Sequence, residues 1–391
     1  MERQKRYIGE EIVYWTVLLG IGVLFLLFYS KFLLTNYDNV YHRIFSEKLF
    51  DMSLEEMVAI DANIPVHAIT YPLYHFTLKV AAVVCGRSYE WGSYVLLTVM
   101  NILSMALFRE LILLIHRTEK ITERILIDFL SISAIFFVVA RSPLTDGRFY
   151  SIQCAANPVH NPTVLFVRPF GVVAFISFVL VFAKRENDKK YGKELGIFSA
   201  SLFLSVLSKP NFAFAFLPAM GLVTLIYMIQ KKSMKIGWQL LGAVTPSLIL
   251  LIVQFAYLSL STSAMGLQVV FGGFTGLKPA EVFSVSLATF PAVIILFSLK
   301  EFKDNLFYRT AILALVAGWL QMFFLTNGPS GDFSWGYDLA VQFATVVSIA
   351  CSMKNTTGKA RKYAGYIAYA YQVFCGVQYI ILVNNYGEFL I

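Results

Sequence analysis

Long apolar runs alternate with short polar breaks along this chain, and the runs are too continuous for the core of a soluble fold. Crossing roughly 30 Å of hydrocarbon takes about 20 predominantly apolar residues in a helix. Runs approaching that length occupy residues 12–34, 92–115, 125–141, 163–183, 195–208, 212–230, 236–258, 280–298, 310–326, 338–353 and 364–383. The pattern predicts eleven spans in an all-α, polytopic transmembrane helical bundle, a single integral membrane domain over 1–391. The stretch between the first two spans, 35–91, is expected to be a large external loop with juxtamembrane helices. Residues 67–85 within it are moderately apolar but short for a span, and His67, His75 and Lys79 interrupt them. Such a segment suits a helix lying in the interface with its polar side wet.

Charge sets the expected orientation. With Met1 to Arg6 inside, the inner loops carry 21 basic residues and the outer loops eight, the bias that places Lys and Arg on the cytoplasmic side. A crossing by 67–85 would invert every later loop. The N-terminus is therefore expected in the cytoplasm, the C-terminus outside, and the location is a plasma membrane, a bacterial inner membrane in particular. The first run is too long for a signal-peptide core and lacks a small-residue cleavage site, so it is expected to stay as an anchor.

Composition agrees with the pattern: of 391 residues 58% are hydrophobic and 14% charged, with 35 Phe and 21 Tyr, and mean hydropathy is +0.66. The formal charge of +8 does not point to nucleic acid, because the basic residues fall in short clusters between apolar runs. Cys85, Cys154, Cys351 and Cys375 have neither metal-ligand nor disulfide-framework spacing.

Chemistry collects on the expected outer face. The inner loops are Lys/Arg connectors, whereas Pro, Gly, Asn, Asp, His and Trp gather outside. Asp38 follows the first span directly, and His42 stands four residues on. If the loop begins as a helix they share a face, so that the carboxylate orients the imidazole; an ordinary solvated helix start is the alternative. Asp61 and His67 flank Pro65 ahead of Tyr71-Pro72, which reads either as a binding turn or as a structural one. His160-Asn161-Pro162-Thr163 opens the fourth span, and proline in a first helical turn leaves backbone N–H groups available to an anion. About a turn below, Arg168 would be costly facing lipid and should point into the bundle, toward a substrate's negative group or toward Asp146 or Asp338. Lys209, in the tight Ser208-Lys209-Pro210-Asn211 hairpin, either snorkels to the interface or grips a phosphate. Asp332, Trp335 and Asp338 lie in or next to an aromatic, polar loop that stacks on a sugar ring or joins the interfacial aromatic belt.

Tyr37-Asp38-Asn39-Val40-Tyr41-His42-Arg43 after the first span, Tyr71-Pro72-Leu73-Tyr74-His75 before the second, and Ser208-Lys209-Pro210 followed by Leu217-Pro218 together resemble the membrane-integral glycosyltransferases of the GT-C class. These use polyprenyl-phosphate sugars as donors. The resemblance covers topology over nearly the full length and rests on short motifs. It implies transfer of a sugar to an acceptor hydroxyl on the extracytoplasmic side, with Asp38 as general base or acceptor-positioning group. His42 is expected to assist it, and Arg43, Asp61, His67, Tyr71, His160, Asn161, Arg168, Lys209, Asp332, Trp335 and Asp338 to line the substrate site. Partners would be the lipid-linked sugar, a glycan, lipid or protein acceptor, and the bilayer. No cofactor is expected, and a divalent metal stays open because one acid stands where many members have a pair. The absence of a Gly-rich phosphate loop and of a sizeable cytosolic domain favours a lipid-linked over a nucleotide-linked donor. Two alternatives remain: a surface-polysaccharide polymerase or ligase using Arg148 and Arg168, and a non-enzymatic transporter of a lipid-linked sugar.

Overall fold

The computed structural model describes residues 2–32, 37–60, 70–136, 161–187, 189–261, 268–271, 278–326, 332–354 and 358–386. The described chain is helical: α1 (Glu2–Phe32), α2 (Tyr37–Asp51), α3 (Leu54–Ile60), α4 (Pro72–Val84), α5 (Tyr89–Ile115), α6 (Ile121–Ser133), α7 (Pro162–Glu186), α8 (Gly192–Ser208), α9 (Asn211–Lys231), α10 (Lys235–Ser261), α11 (Pro279–Thr289), α12 (Pro291–Leu296), α13 (Leu299–Asp304), α14 (Leu306–Phe324), α15 (Asp332–Lys354) and α16 (Lys359–Tyr386). Besides these, a two-residue antiparallel pairing joins β1 (Gln268–Val269) to β2 (Leu325–Thr326).

By length and composition, seven of these helices can cross a membrane: α1, α5, α7, α9, α10, α14 and α15. They coincide with seven of the expected apolar runs. The other four runs take different forms. Residues 280–298, expected as one span, divide into α11 and α12 at Phe290, because Pro291 carries no N–H to continue the first helix. α8 spans 17 residues and α6 13, and α16 is long but tyrosine-rich and less apolar. The interfacial expectation for 67–85 needs correction at one face. α4 does not keep its histidine wet: Tyr74, His75, Leu78 and Ala82 are buried, since the helix packs against α5 and α2.

α15 is the hub. Of its spanning window 94% is buried, with α14, α9 and α12 packed around it. Close approach is possible because a Cβ on Gly336 would stand 2.5 Å from the Asn211 carbonyl oxygen, and one on Gly318 3.0 Å from the Tyr337 Cα. Below this contact α7, α9 and α15 meet through Phe175, Phe212 and Phe343, whose ring centroids lie 5.3 to 5.6 Å apart for Phe175–Phe343 and Phe212–Phe343. Offset aromatic packing of this kind fills a lipid-embedded core with large rigid surfaces.

At the opposite end from the Lys209 hairpin, a buried ionic network ties α1, α5 and α6. Arg109 donates to Asp128 at 2.6 Å, to Glu11 at 2.8 Å and to Glu10 at 2.6 Å. Its guanidinium lies 4.2 Å from the Tyr14 ring centroid. Arg124 bonds Glu10 as well and reaches Glu11 at 3.1 Å. Asp128 is thus one of three carboxylates that together balance the buried Arg109 guanidinium inside the bundle.

Candidate functional site

Backbone chemistry places the central cation. A residue before proline is biased away from the helical region, and Lys209, which precedes Pro210, is extended at φ −170° and ψ 131°. α8 ends at Ser208 and α9 begins at Asn211, so the side chain leaves the hairpin sideways. It is 4% exposed. Nζ donates to Asn161 Oδ1 at 3.3 Å and lies 5.2 Å from the Tyr71 ring centroid and 5.8 Å from that of Trp335. An ammonium resting on two aromatic faces is attracted by their ring quadrupoles. Four expected site residues from four segments, Tyr71, Asn161, Lys209 and Trp335, are therefore brought together.

Asn161 does two jobs. Its backbone is left-handed at φ 53°, a region asparagine tolerates better than most residues, and it caps α7. Oδ1 accepts from the Val164 N–H at 3.3 Å and from Thr163 Oγ1 at 2.7 Å, besides Lys209. This changes the reading of the helix start: the N–H groups expected to meet an anion are partly occupied by the cap, and the cation beside them becomes the better anion donor.

A second tier lies deeper on the same helices. Arg168 stands seven residues below Asn161 on α7, two turns or about 10 Å, and Asp338 stands one turn beyond Trp335 on α15. Both are at most 1% exposed. Arg168 Nη1 donates to Asn101 Oδ1 at 3.5 Å, and Asn101 Nδ2 donates to the Tyr29 hydroxyl at 2.6 Å. The charge that acts on Asp338 comes from Arg168, yet among the described residues neither carboxylate oxygen has a hydrogen-bond partner. Pairing of Arg168 with Asp338, one of the two sequence expectations, thus takes the form of opposed charges without a direct bond.

His42 adjoins the cluster from α2. Its ring lies 5.8 Å from Tyr74 and 5.7 Å from His75, and Tyr74 in turn packs on Phe166 of α7 at 5.6 Å. Ser46 Oγ donates to the His42 carbonyl at 2.8 Å and lies 2.7 Å from His75 Nδ1. With its one proton spent on the carbonyl, the hydroxyl accepts from His75 Nδ1–H, which fixes that tautomer. Arg43 turns elsewhere, to Glu90 at 3.2 Å. α2 does start at Tyr37, so Asp38 and His42 are one turn apart on a helix. The side chains of Asp38 and Asp332 lie outside the described residues, as do Asp61, His67 and His160. Among the described residues no three His, Cys, Asp or Glu side chains gather as a metal-binding group.

The residue that sequence reasoning passed over is Gln254. From α10 its Nε2 donates to the Thr70 carbonyl at 2.7 Å and to the Val206 carbonyl at 3.1 Å. Thr70 precedes Tyr71, and Val206 lies three residues before Lys209. One amide thus fixes both segments that frame the cation. Gln254 and Asn101 were discernible as amides inside apolar runs, positions that rarely face lipid.

No protein-family model, no curated protein and no solved structure matches this chain.

Proposed function

We propose that this protein is a membrane-integral glycosyltransferase that moves a sugar from a polyprenyl-phosphate donor to an acceptor hydroxyl on the extracytoplasmic side of a plasma membrane. The observation that carries the reading is the buried Lys209 ammonium, cradled by Tyr71, Asn161 and Trp335 with Arg168 and Asp338 beneath it. A phosphate on a lipid tether needs cations at a helix-bundle end reachable from the bilayer, and two are stacked here along α7 and the α8–α9 hairpin.

In the reaction the anomeric carbon–oxygen bond to the phosphate breaks and a bond to the acceptor oxygen forms. Negative charge grows on the leaving phosphate, and Lys209 and Arg168 are placed to strengthen their hold as it grows. Asp38 takes the acceptor proton, with His42 one helical turn away as the group that orients it. Tyr71 and Trp335 offer ring faces to the sugar, and Asp338 sets the field on Arg168. The expected eleven-span course, with the N-terminus cytoplasmic and 35–91 external, puts all of these groups on one side.

The test is transfer from a synthetic polyprenyl-phosphate sugar by the full chain in nanodiscs, with Asp38→Asn and Lys209→Gln alongside. The wild type should transfer. Asp38→Asn should bind donor without turnover, and Lys209→Gln should lose roughly a hundredfold in kcat. A wild type that moves the intact lipid-linked sugar across the bilayer with no transfer would overturn the reading in favour of a transporter, the second reading favoured by a carboxylate, Asp338, buried in a spanning helix without a hydrogen-bond partner among the described residues.

A further inference from the structure

A second site lies away from the Lys209 cluster, between α9 and α10. There the two helices enclose an open groove of about 380 Å³ lined almost entirely by apolar side chains. Gly221 leaves one wall hollow, for a Cβ there would meet nothing within 4 Å. Met228, Met234 and Trp238 form much of the rest, and thioethers adapt to a flexible chain better than branched side chains do.

Depth and charge identify the occupant. The lining residues run from Met234, in the turn just before α10, to Val244 on α10, a rise of about 15 Å, half of the roughly 30 Å hydrocarbon thickness of a bilayer. The groove is therefore one leaflet deep. At its mouth the chain turns sharply: Lys232 is left-handed at φ 48°, and the Ser233 N–H closes on the Met228 carbonyl at 3.2 Å. Three exposed cations, Lys231, Lys232 and Lys235, surround that turn. Because α9 and α10 both qualify as spanning helices, the turn marks a membrane boundary, and its lysines sit at headgroup level.

We propose that this groove holds one acyl chain of an anionic phospholipid, with the phosphate at Lys231, Lys232 and Lys235. Apolar walls alone would accept any lipid tail; the lysine collar selects the negative headgroup, each cation near such a surface adding attraction. The site serves as a lipid clamp on the α9–α10 hairpin and does not depend on the transferase reading.

Native mass spectrometry of the full chain, released from mild detergent after exposure to phosphatidylglycerol or to phosphatidylcholine of identical acyl chains, decides it. Wild type should retain phosphatidylglycerol with a preference of roughly tenfold. Gly221→Leu should lose retention of both lipids, and Lys231→Gln/Lys232→Gln/Lys235→Gln should lose the preference while still retaining tails. Equal retention of the two lipids by wild type, or unchanged phosphatidylglycerol retention in Gly221→Leu, would overturn the proposal. The triple lysine variant lies on an exposed turn, so its readout stands even if filling the groove disturbs folding.

Discussion

Lys209 donates to Asn161 across 3.3 Å, and through this bond the start of α7 and the α8–α9 hairpin share one amide oxygen. The same oxygen caps α7, so cation placement and helix start are one interaction. Asn161→Ala should therefore do more than weaken a cap. The lost cap alone costs about 1 kcal/mol, and a non-glycine residue without the amide must also hold φ 53°. Asn161→Gly should recover most of the backbone strain but not the lysine bond. Thermal unfolding in detergent should rank wild type above Gly above Ala, while phosphate-donor binding should fall equally in both variants.

Gln254 should behave as a positioning residue. Gln254→Leu leaves the Thr70 and Val206 carbonyls without this donor, a loss of about 1–3 kcal/mol for buried polar groups. If its role is to hold Tyr71 and Lys209 in register, donor KM should rise well beyond what the stability loss causes, and Gln254→Glu, whose buried carboxyl stays protonated and can donate to only one of the two carbonyls, should fall between Leu and wild type. An unchanged KM in folded Gln254→Leu protein would remove it from the site.

The Arg109 network should govern assembly of the opposite end. Arg109→Leu leaves Glu10 and Asp128 buried against each other with one fewer cation, a situation that typically costs about 3–5 kcal/mol. Arg109→Lys should not rescue it, because three acids and the Tyr14 face are met by a planar fork that an ammonium lacks. Yield of monodisperse protein and the unfolding midpoint report the loss, and transfer activity per folded molecule should change little.

The turn between α5 and α6 should be acid-sensitive. Thr118 first, then Lys120 and His116, draw the Glu123 carboxyl down from an ordinary 4.5 to about 2. A carboxylate whose folded value is depressed adds stability that is present above about 4.5 and fades as the pH falls toward about 2. Unfolding midpoints of wild type and Glu123→Gln should differ at pH 6 and converge between those two values. A constant difference across the range would refute the assignment.

Helices and their locations were readable from the chain because membrane burial demands long apolar runs, and Pro and charged residues at their ends are visible one at a time. Seven helices able to span by length and composition coincide with expected runs, the Ser208–Asn211 hairpin is where its proline puts it, and residue type alone put Arg168, Lys209, Asn161, Tyr71 and Trp335 on the candidate list, together with Arg43, which turns instead to Glu90. The division of 280–298 was foreshadowed by Pro291, yet the run's hydropathy hides it, since an apolar count is blind to a missing N–H. What tertiary structure alone decided is who meets whom. Tyr71 and Lys209 are 138 positions apart and Lys209 and Trp335 126; such contacts follow from helix packing, where a Gly336 without a Cβ lets α15 touch α9, and no local pattern encodes them. The burial of His75, the capture of two carbonyls by Gln254 and the union of Glu10, Glu11 and Asp128 on Arg109 have the same origin. A polar side chain in an apolar run announces that it must find a partner, and only the packed bundle determines which one.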